Sequence, residues 1–228
     1  MVNGVIGIIS YLPEDEKIRG HRFSKLCSLL SSCNYIFSTI PIIIIAQNWK
    51  PENLNKLKGF NRVTAYEYPK LGIVGARNKL REHFIQSNYN YLIMLDDDVQ
   101  LYGNEAQGME YLRQLSLHKD GFWEFNLTLL KLFAISKSLF EKEKFDDNIN
   151  PENGDGFEDR IFVNKLRVKY PNLRYIFNVP GLRQVSISTK DADSTWYINQ
   201  DIQDMREKTN QIIGNLQTKL NDSIKKLN

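Results

Sequence analysis

Tyr91-Leu-Ile-Met-Leu-Asp-Asp-Asp98 is a short apolar run that ends abruptly in three adjacent carboxylates. A run of this length reads as a buried strand. Neighbouring like charges repel one another and are costly to desolvate, so the triplet either sits in water or meets something positive. At the carboxyl end of a strand in an open α/β sheet, carboxylates lie in the crevice where such folds bind ligands. The positive partner this points to is a divalent cation carrying phosphates.

The residues upstream agree with that frame. Residues 5–10 read as a first buried strand, followed by a polar loop with Pro13. Residues 21–30 have helical spacing, with Phe23, Leu26, Leu29 and Leu30 on the apolar face. Residues 41–46 are a β-branched run and predict a second strand; residues 62–66 predict a weaker third. Gly72 and Gly75 punctuate a turn. From Ala76 a helix fits, because Ala76, Leu80 and Phe84 recur on one face while Arg77 and Arg81 share another. With residues 91–95 as the fourth strand, strand and helix alternate over the first hundred residues. That alternation predicts a mostly parallel central sheet flanked by helices, an α/β fold.

Downstream the pattern is less regular. Residues 122–125 and 127–135 read as strand material, 136–145 as a short helix and 150–156 as a turn-rich loop. Residues 158–170 read as an amphipathic helix with Phe162, Leu166 and Tyr170 four apart, and 175–179 as one more strand. The stretch 199–228 is polar and helical, with one apolar stripe of Ile213, Leu216, Leu220, Ile224 and Leu227. It predicts a C-terminal helix that either packs on the domain surface or makes a dimer contact. The expected organisation is one domain over 1–198, with a nucleotide-binding half (1–100) and an acceptor half (101–198), and then that helix.

The composition excludes several classes. With 42% apolar and 25% charged residues the chain supports a packed core. A net charge of +3 does not argue for nucleic acid. Cys27 and Cys33 do not make a disulfide framework and read as free thiols in a reducing compartment. The longest apolar run, 40–46, is too short to span a bilayer, and no basic region precedes the first apolar stretch. The expectation is a cytoplasmic protein.

Three constellations carry chemistry. Asp96, Asp97 and Asp98 close a buried strand and read as a metal-diphosphate site rather than a solvated loop. Arg77 and Asn78, after two glycines, read as the start of a helix, where unpaired N–H groups and the dipole favour anions. In Asn153-Gly-Asp-Gly-Phe-Glu-Asp159, Asp155 and Glu158 have capping-box spacing, and Glu158 or Asp159 is a candidate general base. His21, His83 and His118 show no metal spacing, and P-loop, GxGxxG and GxSxG motifs are missing.

In order and spacing, four segments resemble the GT-A glycosyltransferases, particularly the family 2-like and β-1,4-galactosyltransferase-like enzymes. Gly75-Ala-Arg-Asn78 resembles the stretch before the family's central helix, and Leu95-Asp-Asp-Asp98 its Asp-x-Asp motif. Phe133-Ala-Ile-Ser-Lys-Ser-Leu-Phe140, followed by Phe145-Asp146, is similar to the segment leading into its acceptor loop. Gly156-Phe-Glu-Asp159 resembles its Gly-x-Glu-Asp motif. The match covers about residues 1–170 and implies a GT-A, Rossmann-like fold and an inverting hexosyl transfer from a nucleotide sugar. UDP-glucose and UDP-galactose are the default donors.

The resemblance also implies roles. Ser10 and Tyr11 line the nucleotide pocket with Arg77, Asn78, Asp96 and Asp97, and Asp98 with Asp96 holds Mn²⁺ or Mg²⁺. Asp159 is the catalytic base, with Glu158 beside it. Trp123 or Trp196 is either a sugar-stacking ring or core. The pattern departs at two points. Gln47 and Asn48 stand where many relatives have an acidic residue, and no His follows His118, which leaves Asp191 or Asp193 as the substitute ligand. The acceptor is open between a saccharide, a lipid-linked sugar, a protein and a modified DNA base. Two other readings stand beside this one: a sugar nucleotidyltransferase, and a non-catalytic nucleotide-sugar or glycan-binding module.

Overall fold

Four strands and three helices alternate up to the acidic triplet. In the computed structural model, which describes residues 2–125, 132–148 and 158–186, β1 (Gly4–Tyr11), β2 (Ile42–Gln47), β3 (Val63–Tyr68) and β4 (Tyr91–Asp96) are parallel neighbours in the order β3-β2-β1-β4. Helices α1 (Glu16–Ile36), α2 (Pro51–Leu57) and α3 (Gly72–Gln86) connect them. After β4 come β5 (Val99–Tyr102), α4 (Glu105–Ser116), β6 (Phe122–Phe125), β7 (Phe133–Ser136), α5 (Lys137–Lys142), α6 (Glu158–Lys169), β8 (Arg174–Phe177) and β9 (Arg183–Ser186). β7 joins β4 antiparallel, β6 joins β7 antiparallel, and β8 closes the seven-stranded sheet parallel to β6. β5 and β9 form a separate antiparallel ribbon. The sheet is mixed and largely parallel with helices on its faces, as the alternation predicts.

The core explains why the strands read as continuous apolar runs. β1 is buried along both faces: Ile6 and Ile8 join the layer under α1 and α4, and Val5 and Ile9 the layer under α3, α5 and α6. Gly7 is the point of closest approach of α3, because a Cβ there would meet Leu80 Cδ2 at 2.7 Å. Gly108 does the same for α4 against α1, where a Cβ would sit 1.8 Å from the Ile36 carbonyl oxygen.

Several boundaries differ from the sequence reading. The first helix runs from Glu16 to Ile36, because Asp15 accepts a hydrogen bond from the Ile18 N–H and caps it well before residue 21. The third helix begins at Gly72, not Ala76. Gly72 enters it at φ 71°, the Leu71 N–H is held by Gln47 Oε1 at 2.9 Å, and burial of Val74 draws the first turn in. Elements α2, β5, α4 and β9 had no counterpart in the sequence reading, although α4 carries a full capping box between Asn104 and Gln107. The C-terminal helix over 199–228 and the loop over 150–156 lie outside the described residues, as do positions 126–131 of the second strand region.

Two buried carboxylates fix α6 to the body of the domain. Glu124 on β6 is held by Arg167 of α6 and by Arg174 at 2.7 Å. Glu143 accepts from Lys165, Lys169 and Tyr170, all on or just beyond α6. Burial pushes the Glu143 pKa up, but these donors outweigh it and bring the carboxyl down to about 2 from 4.5. A depressed carboxylate stabilises the fold above its unfolded pKa, and that contribution is lost as pH falls through the folded value. Glu143→Gln is therefore expected to cost about 1–3 kcal/mol at pH 7 in denaturant unfolding. The gap to wild type should narrow between pH 4.5 and about 2. A gap that stays constant over this range would refute the pairing.

Candidate active site

The carboxyl ends of β1 and β4 lie side by side, with Ile9 opposite Asp96, at the point where the strand order turns from β2 on one side to β4 on the other. This is the switch point where open α/β sheets bind ligands. Asp96 ends β4, and Asp97 and Asp98 form the turn into β5; all three are partly buried. Ser10 is buried at the end of β1, and Tyr11 beside it is half-buried.

Arg77 holds the centre. It is 3% exposed, and its Nη2 donates to Asp96 Oδ1 at 3.2 Å while its Nε donates to Glu158 Oε1 at 3.1 Å. Its guanidinium also lies over the Phe145 ring at 5.5 Å, and that ring stacks on Phe162 at 4.1 Å. Segments that are far apart in sequence, around 77, 96, 145 and 158, thus meet at one side chain. Burial acts to lower the Arg77 pKa, but Asp96, Glu158 and Asp159 outweigh it and raise it.

The negative charge is only partly compensated. Burial raises the Asp97 carboxyl to about 6; Arg22 opposes this, and Asp98 and Asp96 push the same way as burial. Burial likewise raises Glu158, with Arg77 acting against it. Asp159, in the first turn of α6, is partly exposed and accepts from the Arg160 N–H at 2.7 Å.

No protein-family model and no curated protein matches the sequence. The fold has solved counterparts. S. aureus TarS 1–349 superposes with a TM-score of 0.61 at 11% identity, over 83% of this chain and 62% of that one. The same TarS fragment has been solved in complex with UDP-GlcNAc. The mannosyltransferase PcManGT from Pyrobaculum calidifontis, in complex with GDP-Man and Mn²⁺, gives 0.54 at 12% identity over 78% of this chain and 57% of that one. A cytidylyltransferase from Leptospira borgpetersenii gives 0.53 at 9% identity over 79% and 78%.

These likenesses establish a fold. The chain spans less than two thirds of the length of TarS 1–349 and of PcManGT. The match extends over enzymes of more than one name, so the family 2-like and galactosyltransferase-like assignment is not distinguished within it.

The expected site residues divide into two groups. Ser10, Tyr11, Arg77, Asp96, Asp97, Asp98, Glu158 and Asp159 gather around the crevice or its central arginine. Arg77 and Asn78 do not stand at a helix start, since α3 has already begun at Gly72, so their own N–H groups lie within the helix. Asn78 is engaged in bracing: its Nδ2 donates to the Phe145 carbonyl and to Asp147, and its Oδ1 accepts from the Phe145 N–H. Gln47 is buried and serves Leu71, and Asn48 donates to the Leu12 carbonyl. Trp123 is core, 1% exposed between Tyr91 and Tyr175. A cavity of about 210 Å³ borders Trp123, His118 and β8, and it shares no residue with the crevice. Asp155, Asp191, Asp193 and Trp196 lie outside the described residues.

Sequence reasoning weighed Arg19, with Lys17 and Gly20, only as part of a triphosphate loop after the first strand, and missed Arg22, which α1 brings to Asp97.

Among the described residues no group of three or more His, Cys, Asp or Glu side chains is placed to hold a metal ion. The carboxylates of Asp96 and Asp98 are oxygen donors, with neither His nor Cys among the residues gathered here. One or two carboxylates, completed by substrate phosphates and water, are the usual supply for a hard cation such as Mg²⁺. The donor set fits such an ion. Among the described residues no helix is long and apolar enough to cross a membrane.

Proposed function

We propose that this protein transfers a sugar from a nucleotide donor, most simply a UDP-sugar, to an acceptor hydroxyl with inversion. The observation that carries this reading is the Arg77 bridge, which joins the acidic end of β4 to the acidic start of α6 across one crevice. A nucleotide site and a base site are then a side chain apart. UDP-GlcNAc in TarS and GDP-Man in PcManGT, on the same fold, support it.

In this reading Ser10, Tyr11 and Asp97 line the nucleotide, and Asn78 acts by bracing the loop at Phe145. Asp98 and Asp96 would hold Mn²⁺ or Mg²⁺, which would supply charge neutralisation on the departing diphosphate. Asp159 takes the proton from the acceptor hydroxyl as that oxygen attacks the anomeric carbon from the face opposite the diphosphate. Glu158 is the weaker candidate for base because its carboxylate is buried against Arg77. The acceptor half and any dimer contact through 199–228 belong to the proposal in the same way.

Calorimetric titration with UDP, with and without Mn²⁺, tests the reading. Wild type should bind UDP more tightly with the metal, and Asp98→Ala should lose that increment, about 10-fold or more. Absence of binding by UDP, GDP, CDP and dTDP-sugars alike would favour a non-catalytic module of another kind. Pyrophosphate release from a sugar phosphate and a nucleoside triphosphate would favour a nucleotidyltransferase, the chemistry closest to the cytidylyltransferase likeness.

A further inference from the structure

Arg19 lies in the first turns of α1 and is 7% exposed, yet its Nε and Nη1 have no hydrogen-bond partner. An unpaired buried guanidinium is expensive, and Arg is almost never fully buried unless paired. Of the acidic residues one turn before it, Asp15 caps the Ile18 N–H and Glu16 pairs with Lys50 at 3.2 Å. Arg22, one turn on, donates to the Tyr11 carbonyl and faces Asp97.

The direction of the side chain follows from helix geometry. Arg19 heads the buried stripe of α1 that continues through Phe23 and Leu26 onto the sheet. Helical side chains lean toward the N-terminus. The α1 N-terminus follows the carboxyl end of β1 through the short connection 12–15, so Arg19 stands at the crevice end of the sheet, one turn before Phe23, which packs on Trp49. The Ser10 hydroxyl is also buried at this end of the sheet, and its hydrogen bond to Asp97 acts to lower that carboxyl against burial. Beside the first strand-to-helix connection a buried cation therefore keeps two nitrogens without a protein partner.

We infer that Arg19 is a phosphate-binding residue: its guanidinium takes a phosphoryl oxygen of the nucleotide. This rests on the nucleotide-sugar reading and adds to it a contact supplied by α1, separate from the acidic motifs. It also gives the positive charge of this crevice a division of labour. Arg77 organises protein carboxylates, and Arg19 is kept for the ligand.

The test compares wild type, Arg19→Lys and Arg19→Gln with three probes: uridine, UDP and inorganic pyrophosphate. Calorimetry reads affinity, and thermal unfolding reads both folding and stabilisation by pyrophosphate. Arg19→Gln should weaken UDP about 10- to 100-fold and leave uridine unchanged, because a charge-assisted bond to an anion is lost. Arg19→Lys should retain part of the UDP affinity, since it keeps the charge and loses the fork. Pyrophosphate should raise the melting temperature of wild type but not of Arg19→Gln. Equal UDP affinity in wild type and both variants would overturn the assignment while leaving the nucleotide reading intact. Loss of UDP and uridine binding in wild type, with pyrophosphate stabilisation still dependent on Arg19, would retain the anion site and remove the nucleotide reading.

Discussion

Arg77→Met should unfold about 3–5 kcal/mol more easily than wild type, because it strands two carboxylates on one buried cation's site. Glu158 has only 8% of its side chain exposed and Asp96 23%, and both now reach Arg77. Without the guanidinium, Glu158 is left buried without its ion-pair partner. Its pKa, already raised by burial, rises further. A carboxyl whose folded pKa is raised contributes stability at low pH and loses it as pH rises. The deficit of Arg77→Met should accordingly be larger at pH 8 than at pH 5. Arg77→Lys should recover little, since a point charge does not span two acceptors as a planar fork does. Denaturant unfolding at the two pH values measures all of this. A methionine variant as stable as wild type at both would remove the central role given to the bridge.

Asp159→Asn should lower turnover about 10²- to 10⁴-fold, the usual contribution of a positioned general base. Nucleotide affinity should stay within a few-fold, because Asp159 faces the acceptor side in the proposed reading. Glu158→Gln should behave differently. It weakens the Arg77 pairing, so its loss should appear in stability and turnover together. Steady-state kinetics with an identified acceptor, set beside UDP titration, separates the two carboxylates. Turnover near wild type in Asp159→Asn would reassign the base.

The first half of the fold was legible because buried parallel strands announce themselves as apolar runs. Residues 42–45 are four consecutive isoleucines, all but enclosed, and the run needs no periodicity to be read. The ribbon β5–β9 was not legible. Each strand is four residues long, and each is paired only with a segment remote in sequence. The acidic triplet was readable as a cluster, and its place at the end of β4 follows from the strand before it. The role of Arg77 was not readable, since nothing local distinguishes an arginine exposed on a helix from one that bridges residues 96 and 158. The burial of Arg19 likewise shows only once α1 is laid on the sheet.

The pairing of β5 with β9 sets a timetable. Val99, the residue after the acidic turn, is opposite Ser186. A chain growing from its N-terminus makes Asp96 to Asp98 early, but the strand that pins the turn arrives roughly 90 residues later, about 5–18 s at the usual rate of synthesis. During that interval β1 to β4 are all available to pair, while the three carboxylates have neither β9 behind them nor α6 in front. The nascent domain thus has the strands of its scaffold before the strand that pins the acidic turn.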